Sequence, residues 1–150
     1  MEIRRARTRD ARELSYIAHA AKAYWGYPEV WLRLWHHDLT LTPRFIAEHE
    51  VFCVLRDGWI VGFYGLSRDG PAFELEHLWV DPDDIGSGFG ARLFRDAVER
   101  IRAAGGTVLR IVSDPNAEGF YRRMGARRVG EAAATPAGRM LPVLVLDVPP

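Results

Sequence analysis

The sequence predicts an α/β fold in which one mixed sheet of six to seven strands is covered by helices on both faces. Three β-rich segments separated by tight turns, between residues 51 and 80, indicate an antiparallel N-terminal half of the sheet. A strand–helix–strand pattern follows over residues 74–112, and such a unit needs a parallel crossover, which is nearly always right-handed. At 150 residues the chain has the length of one domain, so we expect residues 1–150 to form a single domain.

The N-terminal third is predicted to hold one strand and three helices. The four segments are a strand at residues 2–7 and helices at residues 8–24, 28–37 and 43–48. Thr8 and Thr42 are the predicted N-caps of the first and third helices, and Pro28 starts the second because proline suits the first helical position.

The rest of the chain is divided by Asp-Gly, Gly-Gly and Asp-Pro turns. It is predicted to hold strands at residues 51–56, 59–68, 72–80, 107–112, 126–133 and 141–148, and helices at residues 88–104 and 114–124. Asp57 and Gly58 are a strong two-residue hairpin signal. The long helix has apolar residues on one face and stops at Gly105, as helices often do at glycine.

Three alternating glycines, Gly86, Gly88 and Gly90, open that long helix. Such a loop presents unpaired backbone N–H groups beside the positive end of the helix dipole, an arrangement that suits a phosphate or pyrophosphate group. The spacing is not Gly-x-Gly-x-x-Gly, and no Gly-Lys-Ser/Thr follows, so neither the dinucleotide fingerprint nor the nucleotide P-loop is present. A flexible connection between strand and helix is the alternative interpretation.

A second motif lies about thirty residues further on, where Asn116 and Tyr121 are five residues apart in Asp-Pro-Asn-Ala-Glu-Gly-Phe-Tyr. This pair, placed after Val-Asp-Pro and the glycine loop, resembles the GNAT superfamily of acetyl-CoA-dependent N-acetyltransferases. The resemblance covers nearly the whole chain in element order, and most specifically residues 74–93 and 114–126. It implies the GNAT fold, acetyl-CoA as cosubstrate and an amine as acceptor.

In that family the strand matching residues 74–80 splays from the strand matching residues 107–112, and pantetheine pairs in the gap like an added strand. The resemblance implies Tyr121 as general acid near the thioester sulfur. It implies cofactor contacts for Leu78, Trp79, Val80, Ile85, Gly86, Ser87, Gly88, Phe89, Gly90, Ala91 and Asn116. The family prefers Arg or Gln where this sequence has Ile85, so backbone amides would hold the pyrophosphate here, with weaker binding.

Glu74 and Glu76 lie on one face of the strand predicted at residues 72–80, because strand side chains alternate. A primary ammonium group must lose a proton before it can attack, so a carboxylate near the thioester, acting directly or through water, is a sensible base. Glu76, two residues before the pantetheine-pairing segment, is the preferred candidate, and Glu74 is predicted to contact substrate. The alternative is that both bind a cationic substrate or face solvent.

An aromatic run follows the first helix. Core packing explains Trp31 and Trp35, which are i,i+4 neighbours on one helix face. Packing explains less at Trp25 and Tyr27, which flank a glycine in a turn. In GNAT proteins this region walls the acceptor site, so we hypothesise that Trp25, Tyr27 and Glu29 form a partly acidic pocket that binds an amine through cation–π contact.

The amino-acid composition argues against several kinds of binding partner. The net charge is zero, which argues against nucleic acid or a membrane surface as a partner. Cys53 is the one cysteine, the first residues are too charged for a signal peptide, and no apolar run is long enough to span a membrane. We therefore expect a cytoplasmic protein. The histidines lack metal-ligand spacing, so no metal is expected.

The sequence thus favours an enzyme that transfers the acetyl group of acetyl-CoA directly to a primary amine of a small molecule or peptide. A non-catalytic acyl-CoA binding or sensing module of the same fold is the alternative; Ile85 favours it, whereas Asn116 and Tyr121 argue against it. The acceptor and the oligomeric state stay open, and a homodimer through an exposed aromatic patch or the C-terminal strands is compatible with the sequence.

Overall fold

The structure is a computed structural model, and it describes residues Glu2–Pro150. The strands are β1 (Glu2–Arg5), β2 (Glu50–Arg56), β3 (Trp59–Asp69), β4 (Ala72–Val80), β5 (Val108–Val112), β6 (Arg127–Ala134) and β7 (Arg139–Asp147). The helices are α1 (Ala11–Tyr24), α2 (Glu29–Leu34), α3 (Pro43–Glu48), α4 (Phe89–Ala103) and α5 (Glu118–Arg123). Short 3-10 turns lie at Thr8–Asp10, Pro82–Asp84 and Pro115–Ala117.

Within the described residues, the strands form one seven-stranded sheet in the order β1-β2-β3-β4-β5-β7-β6. Two-residue connections join β2 to β3 and β3 to β4, and connections this short join antiparallel neighbours. β4 and β5 are parallel, with Ala72–Glu74 opposite Val108–Arg110. β7 then pairs antiparallel with both β5 and β6. The predicted mixed α/β fold is confirmed, while the extent of the domain over residues 1–150 stays a prediction.

The chain forms two compact units, one comprising the residues up to Gly65 with His77–Leu93, the other Leu66–Glu76 with Phe94–Pro150. The core of the first unit packs one side of α1 against β2 and β3, and its fully buried members include Leu14, Ala18, Val51, Cys53 and Phe63. The buried residues of the second unit include Phe73, Phe94, Ile101, Leu109, Ile111 and Leu144. The apolar face predicted for the long helix is thereby confirmed.

The start of α1 differs from the prediction of Thr8 as its N-cap. Thr8 lies inside a 3-10 turn, and the carboxylate of Asp10 accepts a hydrogen bond from the backbone N–H of Arg7 at 2.7 Å. The same carboxylate receives the guanidinium of Arg4 at 2.9 Å. The contacts with Arg4 and Arg7 therefore hold Asp10 at the start of α1, and the threonine pattern alone does not show them.

The second helix is shorter than the predicted segment 28–37. Pro28 is its N-cap rather than its first residue, and the α-helix ends at Leu34. Tighter turns follow the helix. The N–H of His36 donates to the carbonyl three residues back, and the Thr40 hydroxyl donates to the carbonyl of His36 at 2.6 Å. Tight turns place Trp35 and Leu39 in the core.

Candidate functional site

The glycine loop lies between the 3-10 turn after β4 and the first residue of α4. Residues 85–88 are exposed, and Gly86 and Gly88 have φ values of +87° and +83°. No other group lies within 4 Å of the Cβ position of either glycine, so the backbone there is open to a ligand. The first N–H groups of α4 have no intrahelical partner. The loop therefore offers backbone N–H donors, which suit an anionic group.

Both ends of this loop are held. Phe89 at the start of α4 is 3% exposed. At the other end, the side chain of Asp84 is buried, and one of its oxygens accepts from Nε and Nη2 of Arg56 at 3.0 and 2.7 Å. Ile85, between them, is 48% exposed and its side chain cannot donate a hydrogen bond.

The predicted pantetheine-pairing residues Leu78, Trp79 and Val80 form the end of β4 and are all partly buried. The indole N–H of Trp79 donates to Nδ1 of His77 at 3.0 Å. Burial, and secondarily the nearby His49, lowers the pKa of His77 to about 4, so its ring is neutral at pH 7. A Cβ atom at Gly62 would lie 2.9 Å from the carbonyl oxygen of Trp79, so β3 needs glycine at this point.

The two glutamates of β4 have different partners. Glu74 forms an ion pair with Arg110 of the parallel neighbour β5. Glu76 is exposed and accepts a hydrogen bond from the hydroxyl of Ser67 at 2.6 Å. The carboxylate of Glu76 is therefore accessible to solvent, whereas the charge of Glu74 is balanced by Arg110 within the sheet.

Asn116 lies in the 3-10 turn after β5, and its side chain is oriented by Asp114. The Asp114 carboxylate accepts from the backbone N–H of Asn116 at 2.8 Å and from its Nδ2 at 3.0 Å. Asp114 is in turn approached by Arg139 at 3.6 Å, and both side chains of this ion pair are at most 12% exposed. Sequence reasoning selected Asn116 and missed the pair behind it, which joins residues 25 positions apart.

Tyr121 is 7% exposed, and its ring packs against Phe94 and Phe120 at 5.9 and 5.3 Å between centroids. Burial raises the pKa of Tyr121, and the negative charge of Asp114 raises it further. The phenol is protonated at neutral pH, as an unperturbed tyrosine is, and the raised pKa makes it a weaker acid.

The residues predicted to form the acceptor pocket have different surroundings in the structure. Trp25 is 44% exposed and Glu29 is a solvated residue paired with Arg33 at 3.4 Å. Tyr27 instead packs beside Trp31 and Trp35. The ammonium group of Lys22 lies over the rings of Tyr27 and Trp35, at 5.1 and 4.7 Å.

An internal cation thus makes the contact that the sequence prediction assigned to the acceptor amine. Lys22 was missed, although it follows Ala18 by four residues and therefore shares the buried face of α1.

Two further findings concern the described residues 2–150. No group of three or more His, Cys, Asp or Glu side chains is placed there to hold a metal ion. No helix in that range has the length and apolar character needed to cross a membrane.

Comparison with known proteins gives a consistent result. The family model described as "Acetyltransferase (GNAT) domain" matches residues 15–138. The N-alpha-acetyltransferase RimI of Mycobacterium tuberculosis is 42% identical over 79 residues, which are 49% of this chain and 49% of that protein. The matched region therefore spans about half the length of that relative.

Solved structures resemble the whole chain. The PaiA N-acetyltransferase of Thermoplasma acidophilum in complex with coenzyme A has a TM-score of 0.81 at 17% identity, covering 97% of this chain and 98% of that one. The ribosomal-protein-S18-alanine N-acetyltransferase of Escherichia coli has a TM-score of 0.75 at 16% identity, covering 98% and 93%. At these identities the likeness concerns the fold.

Proposed function

The chain belongs to the GNAT acetyltransferase family, and from this premise we propose that it transfers the acetyl group of acetyl-CoA directly to a primary amine of a small molecule or peptide. The observation that carries the proposal is the exposed glycine loop between β4 and α4, whose open backbone fits a pyrophosphate. The proposal takes its proton donor from the buried phenol of Tyr121, which is protonated at neutral pH.

We propose that the cosubstrate is held mainly by backbone groups. The amides of residues 85–91 bind the pyrophosphate, and Leu78, Trp79 and Val80 pair with the pantetheine arm like an added strand. Two observations favour this arrangement: the parallel register of β4 with β5 comprises three residue pairs among the described residues, and β4 continues to Val80. Asn116, oriented by Asp114, forms a hydrogen bond with the cosubstrate through its side-chain amide.

The proposed reaction is a direct displacement. Glu76, alone or through water, takes a proton from the acceptor ammonium, and the neutral amine attacks the acetyl carbonyl carbon. A C–N bond forms, the nitrogen of the adduct loses its second proton to water, and the C–S bond breaks. The departing sulfur receives the proton of Tyr121. Solvent then returns a proton to Tyr121 and removes the one on Glu76.

The acceptor is proposed to contact Trp25, Glu29 and Glu74, and Tyr27 through its edge. Since Lys22 occupies the face of Tyr27, the exposed Trp25 ring is the better candidate for cation–π contact with an amine. The relative that matches over half its length is named an N-alpha-acetyltransferase, so the α-amine of a peptide is the first acceptor to examine. Trp25→Ala should raise KM for the acceptor and leave KM for acetyl-CoA unchanged.

We further propose a cytoplasmic location, because the one cysteine is free and buried and the cosubstrate is an intracellular metabolite.

A homodimer is proposed through β6, which is one of the two edge strands of the sheet and is largely exposed. Light scattering on purified protein measures the oligomeric state, and a monomer at all concentrations would contradict the proposed dimer.

The deciding experiment measures thiol release from acetyl-CoA with a panel of small amines and peptides, alongside calorimetric titration of coenzyme A. Binding together with amine-dependent thiol release supports the enzyme. Binding without release on any acceptor favours the sensing module suggested by Ile85. Absence of coenzyme A binding by folded protein overturns the proposed function altogether.

A further inference from the structure

The glycine loop is preceded by a strongly acidic turn. Asp81, Asp83 and Asp84 supply three carboxylates within four residues, directly before the exposed loop of residues 85–88. Negative charge at this point opposes the binding of an anion to the adjacent backbone amides. Asp81 caps the turn by accepting from the N–H of Asp83 at 2.9 Å, and Asp83 itself is exposed. Asp84 is the buried member, so its charge is the least screened by water.

Arg56 neutralises that buried charge. Two of its nitrogens donate to the same oxygen of Asp84, although the residues are 28 positions apart. The Arg56 side chain is 54% exposed, and it lies 3.9 Å from the exposed carboxylate of Asp57. The contact with Asp84 is therefore shorter and less hydrated than the contact with Asp57, and it determines where the guanidinium lies.

The same ion pair fixes the position of the loop. Asp84 is the last residue of the 3-10 turn, and the next buried residue is Phe89 in α4. The four residues between them include two glycines at positive φ with open surroundings. The loop therefore depends on its two ends for its shape, and Arg56 secures the end that belongs to the turn.

We propose that Arg56 is a positioning residue for coenzyme A: by pairing with Asp84 it holds the glycine loop in its pyrophosphate-binding shape and removes the nearest buried negative charge. This inference rests on the proposed function. It assigns Arg56 no contact with the reacting atoms. Its effect should thus be confined to ligands that carry the pyrophosphate.

The test compares coenzyme A with pantetheine, which lacks the pyrophosphate, by fluorescence titration of wild-type and variant proteins. Arg56→Gln should weaken coenzyme A binding roughly tenfold, because a buried charge is left unpaired and the loop loses its anchor. Pantetheine binding should stay at the wild-type value. Adding Asp84→Asn to Arg56→Gln should restore part of the lost affinity, since the uncompensated charge is then removed.

Arg5→Gln is the matched control. Arg5 also lies at the end of a strand, is 52% exposed and pairs with Glu50 at 2.8 Å, but that carboxylate is itself 51% exposed. Its replacement should leave both affinities unchanged. If Arg56→Gln does not fold, Arg56→Lys, which keeps the charge and loses the two-donor contact, should give a smaller loss confined to coenzyme A.

The outcomes are distinct. Equal coenzyme A affinity in wild type and the Arg56 variant, or equal losses for coenzyme A and pantetheine, overturns the role of Arg56 while leaving the proposed function intact. Wild-type protein that binds no coenzyme A overturns the proposed function first.

Discussion

Two Asp-Pro turns, at residues 81–84 and 114–117, have nearly the same local structure, but different structures follow them. Each begins with an aspartate at nearly the same backbone angles, φ −54° and ψ 130° for Asp81 and φ −56° and ψ 137° for Asp114. Each aspartate accepts a hydrogen bond from the N–H two residues along. Each turn is also held by an arginine from a distant strand, Arg56 or Arg139.

The two turns differ in the length of chain between the turn and the next helix. After the first, four exposed residues precede α4, so bare backbone is displayed. After the second, α5 begins at once with Glu118, so side chains such as Asn116 and Tyr121 are held at set positions relative to the turn. The same turn is thus followed by exposed backbone in one place and by side chains at set positions in the other.

The largest expected effect tests whether the second turn region performs chemistry. Tyr121→Phe should lower kcat by roughly a hundredfold or more, the usual contribution of a general acid, with little change in coenzyme A affinity. Thiol-release kinetics and calorimetry measure the two quantities. A kcat within a few-fold of wild type would remove the assigned role and leave both regions as binding elements.

His77, in the strand β4 that precedes the first turn, should make the folding stability of the protein sensitive to acid. The pKa of His77 is lowered from 6.5 to about 4, so the unfolded chain binds its proton first as the pH falls. Stability should therefore decrease between pH 6.5 and pH 4, by up to roughly 3 kcal/mol. Thermal melts of His77→Gln should lack most of this loss, and His37→Gln, at an exposed histidine, should retain it.

The arginine of the second turn should contribute to stability through burial. Arg139→Gln removes the positive charge that lies 3.6 Å from the Asp114 carboxylate at a nearly buried position, and it should cost roughly 1–3 kcal/mol of unfolding free energy. Arg127→Gln is the control: its pair with Asp147 is shorter, at 2.7 Å, but both side chains are more than half exposed. That replacement should cost at most about 0.5 kcal/mol. Equal costs in urea unfolding would contradict the distinction.

The smallest expected effect concerns the loop backbone. Gly88→Ala introduces a Cβ at φ +83°, which should cost about 1 kcal/mol of stability and weaken coenzyme A binding, although space is available. Gly130→Ala, in the exposed strand β6, also meets open space, and no left-handed backbone opposes it. If both substitutions leave coenzyme A affinity unchanged, the loop conformation is not needed for binding.

Local signals predicted the parts of this fold that depend on neighbouring residues. The bounds of β4, the Asp57-Gly58 turn and the Thr42 cap, which accepts from Phe45 N–H at 3.0 Å, follow from such signals and are confirmed. The motifs carrying Asn116 and the glycine loop were also visible, because they are continuous in sequence. Their roles toward a ligand stay predictions.

The contacts that hold these motifs were not predictable, since each joins distant positions. Arg56 reaches Asp84, 28 positions further on, and Arg139 reaches Asp114, 25 positions back. Nothing in the local pattern distinguishes these two arginines from the solvated arginines elsewhere in the chain. The tertiary fold alone decides which carboxylate each of them neutralises.

Gly62 has a practical consequence for engineering. A methyl group there would press on the Trp79 carbonyl at 2.9 Å and on Leu93 at 3.1 Å, so any side chain displaces the far end of β4. Libraries designed to widen acceptor range should therefore hold position 62 constant and diversify the exposed residues proposed to contact the acceptor, such as Trp25 and Glu29.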